Sequence, residues 1–317
     1  MQFKAWATWL MAFLVIAAGS QVASAQAYPS KVVRLITAEP GGSYDFGARV
    51  VAQELSQVMG QQFIVENRGG VLAVLASKAA PDGYTLLVSG TNLWLQPFFH
   101  KTEYDPIRDF ALISLLNAAP NVLVVHPSLP VKTVKELIAL ARARPGELNY
   151  GTGNAGSASH LATEQFSAMT RISLVRVPYK GGGPAITALM GGQVQLIFAT
   201  GGTVGQHMRS GRLRALGVTS LEPSALFPGL EPIAKTLPGY EAIGVVGVLA
   251  PAKTPAPIIE RLNQEINRFL LKADVKERFF NSGVEAGGTT PERFAALIKS
   301  DMSSTGKLIK DTGLNHQ

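Results

Sequence analysis

Short apolar runs alternate with glycine-bearing loops and helical segments along most of this chain, and that alternation restricts it to an α/β architecture. Residues 32–37 read as a buried strand, Ala38-Glu39-Pro40-Gly41-Gly42-Ser43 as a loop, and residues 44–59 as a helix. The order recurs from a strand at 148–150, through Gly151-Thr152-Gly153-Asn154-Ala155-Gly156-Ser157, into a helix over 159–169. Further strands are expected at 62–66, 84–89, 121–125, 174–177, 193–199, 213–219 and 243–249, with helices over 71–80, 133–144, 185–190 and 258–272. Strands interleaved with helices give a mainly parallel sheet covered on both faces. Pro81-Asp82-Gly83 marks a turn, because proline presets φ and glycine accepts a positive one.

A length of 317 residues exceeds what one hydrophobic core organises, so two domains are expected. Hydrophobic residues make up 46% and charged residues 16%, a balance that excludes a disordered chain. Cysteine is absent, which excludes disulfides, thiolate zinc sites, iron–sulfur clusters and a thiol nucleophile. At the amino end, Lys4 precedes an apolar run over 5–18 and a small-residue stretch ending Ala23-Ser24-Ala25. The run is shorter than the ~20 residues of a membrane span and reads as a signal peptide cleaved after Ala25, so an exported protein is expected. Lysines and arginines are scattered singly despite the net charge of +7, which argues against nucleic acid and for small anionic ligands.

Four loops at expected strand ends hold the glycines and hydroxyls of interest: residues 40–43, 90–92, 151–157 and 179–183. Ligands of open α/β sheets bind at that end, where helix N-termini favour carboxylates or phosphates. Enzymatic motifs fail residue by residue. No loop supplies the lysine and hydroxyl of a P-loop, and neither Ser43 nor Ser157 is followed by the second glycine of a nucleophile elbow. Gly151-Thr152-Gly153-Asn154-Ala155-Gly156 matches the dinucleotide fingerprint formally, but the next strand carries Arg176, Tyr179 and Lys180 where a ribose-binding acid belongs. The histidines are too dispersed for a local metal motif. No cofactor, no metal and no catalytic group is expected, though a nucleotide-dependent enzyme remains the competing reading.

The chain resembles the solute-binding proteins of tripartite tricarboxylate transporters, the Bug family. The match is carried by Pro40-Gly41-Gly42-Ser43-Tyr44-Asp45, Val65-Glu66-Asn67-Arg68, Ala80-Pro81-Asp82-Gly83-Tyr84, Gly156-Ser157-Ala158-Ser159-His160-Leu161, Val177-Pro178-Tyr179-Lys180-Gly181 and Gly191-Gly192-Gln193-Val194. The resemblance implies a monomeric periplasmic binding protein of the two-domain, Venus-flytrap, type II-like kind, each domain a mixed sheet flanked by helices. It implies domains over residues 26–123 with 243–317 and over 124–242, with crossings near Val124 and Ile243. By the same likeness, Pro40 to Asp45 together with Thr91 and Asn92 face Asn154, Ala155, Gly156, Ser157 and Ser159. Pro178, Tyr179, Lys180 and Gly181 complete the second side, and Ala199 and Thr200 stand where the family often has an acid. The implied ligand is a small carboxylate and the implied partner a membrane transporter; a sensory module serving a signalling receptor would need the same site.

Three departures from the family pattern stand out. After Arg68 the sequence continues Gly69-Gly70-Val71-Leu72, a shorter segment than the family's. Ala199 follows Phe198 in place of an acid, which disfavours an amino-acid ligand. Thr163 precedes Glu164 where glycine is usual, with no consequence evident from sequence.

Overall fold

The computed structural model describes residues 28–153, 156–179 and 181–312. The signal peptide and its cleavage after Ala25 lie outside the described residues, as do Asn154, Ala155 and Lys180. The first half comprises β1 (Val33–Thr37), α1 (Ser43–Met59), β2 (Phe63–Asn67), α2 (Leu72–Ser77), β3 (Thr85–Gly90), α3 (Thr91–Leu95) and β4 (Phe110–Val125). The chain continues through α4 (Val134–Ala143), β5 (Asn149–Thr152), α5 (Ala158–Thr170), β6 (Val175–Pro178), α6 (Gly182–Met190), β7 (Leu196–Thr200), α7 (Gly201–Arg209) and β8 (Arg214–Val218). It closes with β9 (Ile243–Pro251), α8 (Ala256–Leu270), α9 (Ala273–Asn281), β10 (Glu285–Ala286) and α10 (Pro291–Thr312).

Strand order is β2-β1-β3-β9-β4-β7-β5-β6, with β8 and β10 also paired to β4. β4 belongs to two sheets. From Phe110 to Pro120 it runs antiparallel to β9, and from Asn121 to Val125 it runs antiparallel to β7. The change of partner falls at Pro120/Asn121, upstream of Val124, which pairs with Ile197 inside the second sheet. Only the end of this strand was legible, because Asn117-Ala118-Ala119-Pro120 has low strand propensity and a proline that cannot donate to a ladder. Pairing along its whole length, on both sides at residues 117–118 and 122–125, holds the 16-residue strand together against that preference.

The topology aims the loops. β1, β2 and β3 are parallel. Gly90, the last residue of β3, pairs with Val246 of β9, and Val246 pairs with Asn117 of β4. In the second sheet Thr200, the last residue of β7, pairs with Asn121, and β5 and β6 run parallel to β7. The carboxyl ends of both strand sets therefore meet the same stretch of β4, residues 117–121, from opposite directions.

Each sheet is covered on both faces. In the first, Val51, Leu55 and Ile113 pack with α8, while Trp94, Phe110 and Phe294 fill the other side. In the second, Phe166, Phe198 and Tyr240 fill one side and Val122, Leu189 and Val218 the other. Helix α8 buries Ile259, Leu262, Ile266, Phe269 and Leu270, the apolar face its spacing predicts. No side chain caps its amino end. Thr254 bonds back to the Pro251 carbonyl at 2.7 Å and the N-cap is Pro255, with no side-chain bond. The C-terminal helices are tied to α1 by Glu54, 3% exposed, which accepts from Lys272 at 2.8 Å and Arg278 at 3.3 Å.

Candidate functional site

The loop before α1 is held from below by a carboxylate. Asp45, 4% exposed, accepts from the Gly41 N–H (3.0 Å) and Arg49 Nε (2.9 Å) through one oxygen and from Asn67 Nδ2 (2.8 Å) through the other. Asn67 also donates to the Ala38 carbonyl at 2.6 Å. These bonds occupy Asp45 within its own half and fix the turn at Gly41, whose φ is +84°. Burial alone would raise the Asp45 carboxyl, but the bonds from Arg49, Gly41 and Asn67 together hold it below the ordinary aspartate value. Gly42 is the N-cap of α1 and no side chain caps the helix, so its first N–H groups are available to an anion. Pro40, Gly41 and Gly42 are exposed and Ser43 is half-buried.

Tyr44 turns away from that loop. Burial pushes its phenol up to about 12, against the opposing pull of a backbone bond from Asn92. Its ring lies on Gly90, where an added methyl group would overlap the Val245 carbonyl and come within 2.9 Å of the ring. Thr91 is 5% exposed and its hydroxyl accepts from the Val245 N–H at 3.3 Å. Asn92 remains half-buried at the strand end. The shortened segment after Arg68 forms a 3-10 turn over Gly69–Val71, and Gly69 (φ +48°) leaves room for the Glu39 side chain above it.

Across the junction, Ser157 caps α5 by accepting from the His160 N–H at 3.3 Å, and its oxygen lies 3.3 Å from Thr152 Oγ1. Gly156, φ +77°, donates its N–H to His160 Nδ1 at 3.1 Å. Ser159 Oγ is buried without a partner among the described residues. Thr163 is fully buried and its hydroxyl donates to the Ser159 carbonyl at 2.8 Å, which gives that departure a local role. Pro178 ends β6, the Tyr179 N–H donates to the Thr152 carbonyl at 2.8 Å, and Gly181 (φ +138°) caps α6 without a side chain. Ala199 packs in the core of the second sheet. Thr200 caps the first turn of α7 by position only, its hydroxyl lying 3.2 Å from that of Thr203.

The two halves touch through these loops. The Phe99 and His160 rings meet edge-on at 5.4 Å, and a methyl group on Gly156 would stand 3.0 Å from Phe99. Ala158 at the start of α5 lies over Gly244 of the first sheet, 3.8 Å from where a Cβ would be. Leu161 shares a core with Trp94 and Phe294. The structure thus brings residues 156–161 to a junction with Phe99, Trp94 and Gly244 of the first half, beside Thr91, which bonds to Val245. Asp45, Tyr44 and Ala199 instead support it from within their own halves.

Sequence reasoning missed several residues here. Asn117 and Asn121 of β4 are each 2% exposed, and their side-chain nitrogens have no partner among the described residues. They share a face of the strand with Ala119, between the packing faces of α1 and α5. Their only sequence signal was asparagine inside an apolar run, which alone is compatible with a turn. Tyr150, Glu164 and Arg176 form a polar cluster beneath the second loop. The Tyr150 hydroxyl donates to Glu164, whose carboxyl burial raises, and Arg176 Nη2 donates to the Gly153 carbonyl at 3.4 Å.

Two mixed sheets that share a strand and turn the ends of their parallel strands toward one another define the class of two-domain solute-binding proteins. The profile described as Tripartite tricarboxylate transporter family receptor, TctC, matches residues 47–314, and the chain belongs to that family. It is 35% identical over 297 residues to a UPF0065 protein in the tcbD-tcbE intergenic region of Pseudomonas sp. (strain P51), covering 91% of this chain and 88% of that one. It is 34% identical over 313 residues to BugT of Bordetella pertussis, covering 95% of each. Among solved structures, R. palustris Rpa4515 with adipate superposes with a TM-score of 0.84 at 32% identity, covering 90% of this chain and 98% of that one. MatC from Rhodopseudomonas palustris with bound malate gives 0.79 at 28%, covering 89% and 100%.

Proposed function

We propose that this protein is an extracytoplasmic receptor that captures a small carboxylate between its two halves and delivers it to a tripartite tricarboxylate-type transporter. The observation that carries the reading is the convergence of two donor-rich loops, 41–43 and 156–159, on one stretch of β4 from opposite sheets. One loop offers bare helix N–H groups and the other hydroxyls, a donor set suited to a carboxylate. That relatives hold adipate and malate supports the ligand class. The halves act as lobes that divide on β4 at Pro120/Asn121, where its pairing passes from β9 to β7, and again at the start of β9, and closure around the ligand is a hinge motion. The ligand contacts are Gly41, Gly42, Ser43 and Asn92 on one side. Gly156, Ser157, Ser159 and Gly181 face them, and the family resemblance assigns Asn154, Ala155 and Lys180 to the same site. Export with cleavage after Ala25 places the mature protein, a monomer, in the periplasm.

The test is thermal unfolding of refolded mature protein against mono-, di- and tricarboxylates, aromatic acids, amino acids and NAD. A ligand at 100 times its dissociation constant adds about 2.7 kcal/mol. A shift confined to one carboxylate class is expected. A shift with NAD alone, or none with any carboxylate, would overturn the reading.

A further inference from the structure

Two side chains hold the described ends of the second glycine loop, Gly153 and Gly156. On one side Arg176 Nη2 holds the Gly153 carbonyl at 3.4 Å, and on the other His160 Nδ1 accepts the Gly156 N–H at 3.1 Å. We propose that His160 is the positioning residue of the carboxylate site: its unprotonated Nδ1 holds the turn at Gly156, and its ring braces that turn against Phe99 of the facing half. The inference rests on the carboxylate-binding reading and assigns the device that sets the donor geometry of the site.

The geometry fixes the state of the ring. A backbone N–H can bond only to a ring nitrogen bearing a lone pair, so the single proton resides on Nε2. That nitrogen is turned toward Glu164 Oε1 at 3.8 Å. The ionisable groups around the ring are Glu164 on the same helix, Tyr150 of β5 bonded to Glu164, and Arg176 of β6. On the remaining side stands the uncharged ring of Phe99. His160 is 4% exposed, and burial, reinforced by the charge of Arg176, brings its pKa down to about 4. A second proton would set a ring N–H against the Gly156 N–H, donor against donor. The turn has no slack to absorb this, since Gly156 sits at φ +77° directly under Phe99. Protonation and ligand binding therefore compete, and a merely space-filling residue would produce no such competition.

The experiment is calorimetric titration of malate and adipate between pH 7.5 and 3.5 into wild type, His160→Asn and His160→Phe. Asparagine presents an oxygen near the position of Nδ1 and does not titrate; phenylalanine keeps the ring and loses the acceptor. His160→Asn should bind within about threefold of wild type at pH 7.5, and His160→Phe at least tenfold more weakly. Towards pH 3.5 the wild-type affinity should fall about fourfold further than that of His160→Asn; ligand protonation is common to both and cancels in the ratio. Equal binding by His160→Phe and wild type, or parallel acid profiles for wild type and His160→Asn, would overturn the positioning role. Should His160→Phe fail to fold, the His160→Asn profile decides. Wild type that binds neither these two acids nor any other carboxylate would sink the carboxylate reading itself.

Discussion

Asp45→Asn is the most informative perturbation of the first loop. The carboxylate accepts from Gly41 and Arg49 on one oxygen and from Asn67 on the other. An asparagine keeps one oxygen. Whichever way its amide turns, an NH2 group faces a donor, and a buried donor left unpaired costs about 1–3 kcal/mol. The Arg49 ion pair adds little, because the Arg49 side chain is 59% exposed and solvent screens it. Loss of a negative charge in the first turn of α1 adds about 0.5 kcal/mol. A destabilisation of about 3 kcal/mol is expected, seen in urea as a midpoint lower by about 1 M. Asp45 is held below its ordinary value of 3.8, so its contribution is complete above that pH and is lost as pH falls through the lower folded-state value. The wild-type and variant curves should converge there. Since the same bonds fix Gly41, calorimetry at pH 7.5 should also show at least tenfold weaker carboxylate binding. An unchanged urea midpoint with unchanged affinity would refute the assignment of Asp45 as the anchor of this loop.

Three further outcomes are expected. A methyl group on Gly42 would lie 3.9 Å from the Glu39 carbonyl, an ordinary contact, so Gly42→Val should fold with a capping cost of about 1 kcal/mol while weakening ligand binding at least tenfold; intact affinity would take this loop out of the site. Asn121→Leu removes a buried donor that has no partner, and should raise the urea stability of unliganded protein by about 1 kcal/mol; a loss would mean the amide is satisfied. His160 binds its proton near pH 4 folded and near 6.5 unfolded, so the unfolded chain takes up the proton first and stability falls by about 3 kcal/mol from pH 6.5 to 4, then levels. Glu164, raised by burial, acts with the opposite sign, so the His160 share is the difference between wild type and His160→Asn unfolding profiles.

The alternation of strand, loop and helix was legible because each apolar run is bounded by glycine or proline. Gly60 and Gly83 end their segments with φ of +68° and +81°. The expected helix over 133–144 is capped in the structure by Thr133, which accepts from the Glu136 N–H at 3.1 Å. What escaped reading depends on contacts distant in sequence. β4 is a strand because β9, β7, β8 and β10 pair with it, and its own residues 117–120 argue otherwise. The glycine loops were visible as candidate donors, whereas their supports were not: Asn67 reaches Asp45 across 22 positions and Arg176 reaches Gly153 across 23. Tyr44 and Asp45 belong to the family string yet serve the loop from beneath, a distinction that only burial and bonding reveal.

Because β9 is laid between β3 and β4, the order of synthesis matters. The first sheet lacks its central strand until residue 251 has left the ribosome, although its first three strands emerge within the first 90 residues. By contrast, the second sheet has all its strands once β8 ends at Val218, with only the tail of β4 borrowed from the other sheet. Domains fold as units as they emerge. The sheet made in the middle of translation thus has all its strands while the half that carries the amino terminus still waits, its parallel strands unsealed along one edge, for a strand encoded more than 100 residues later.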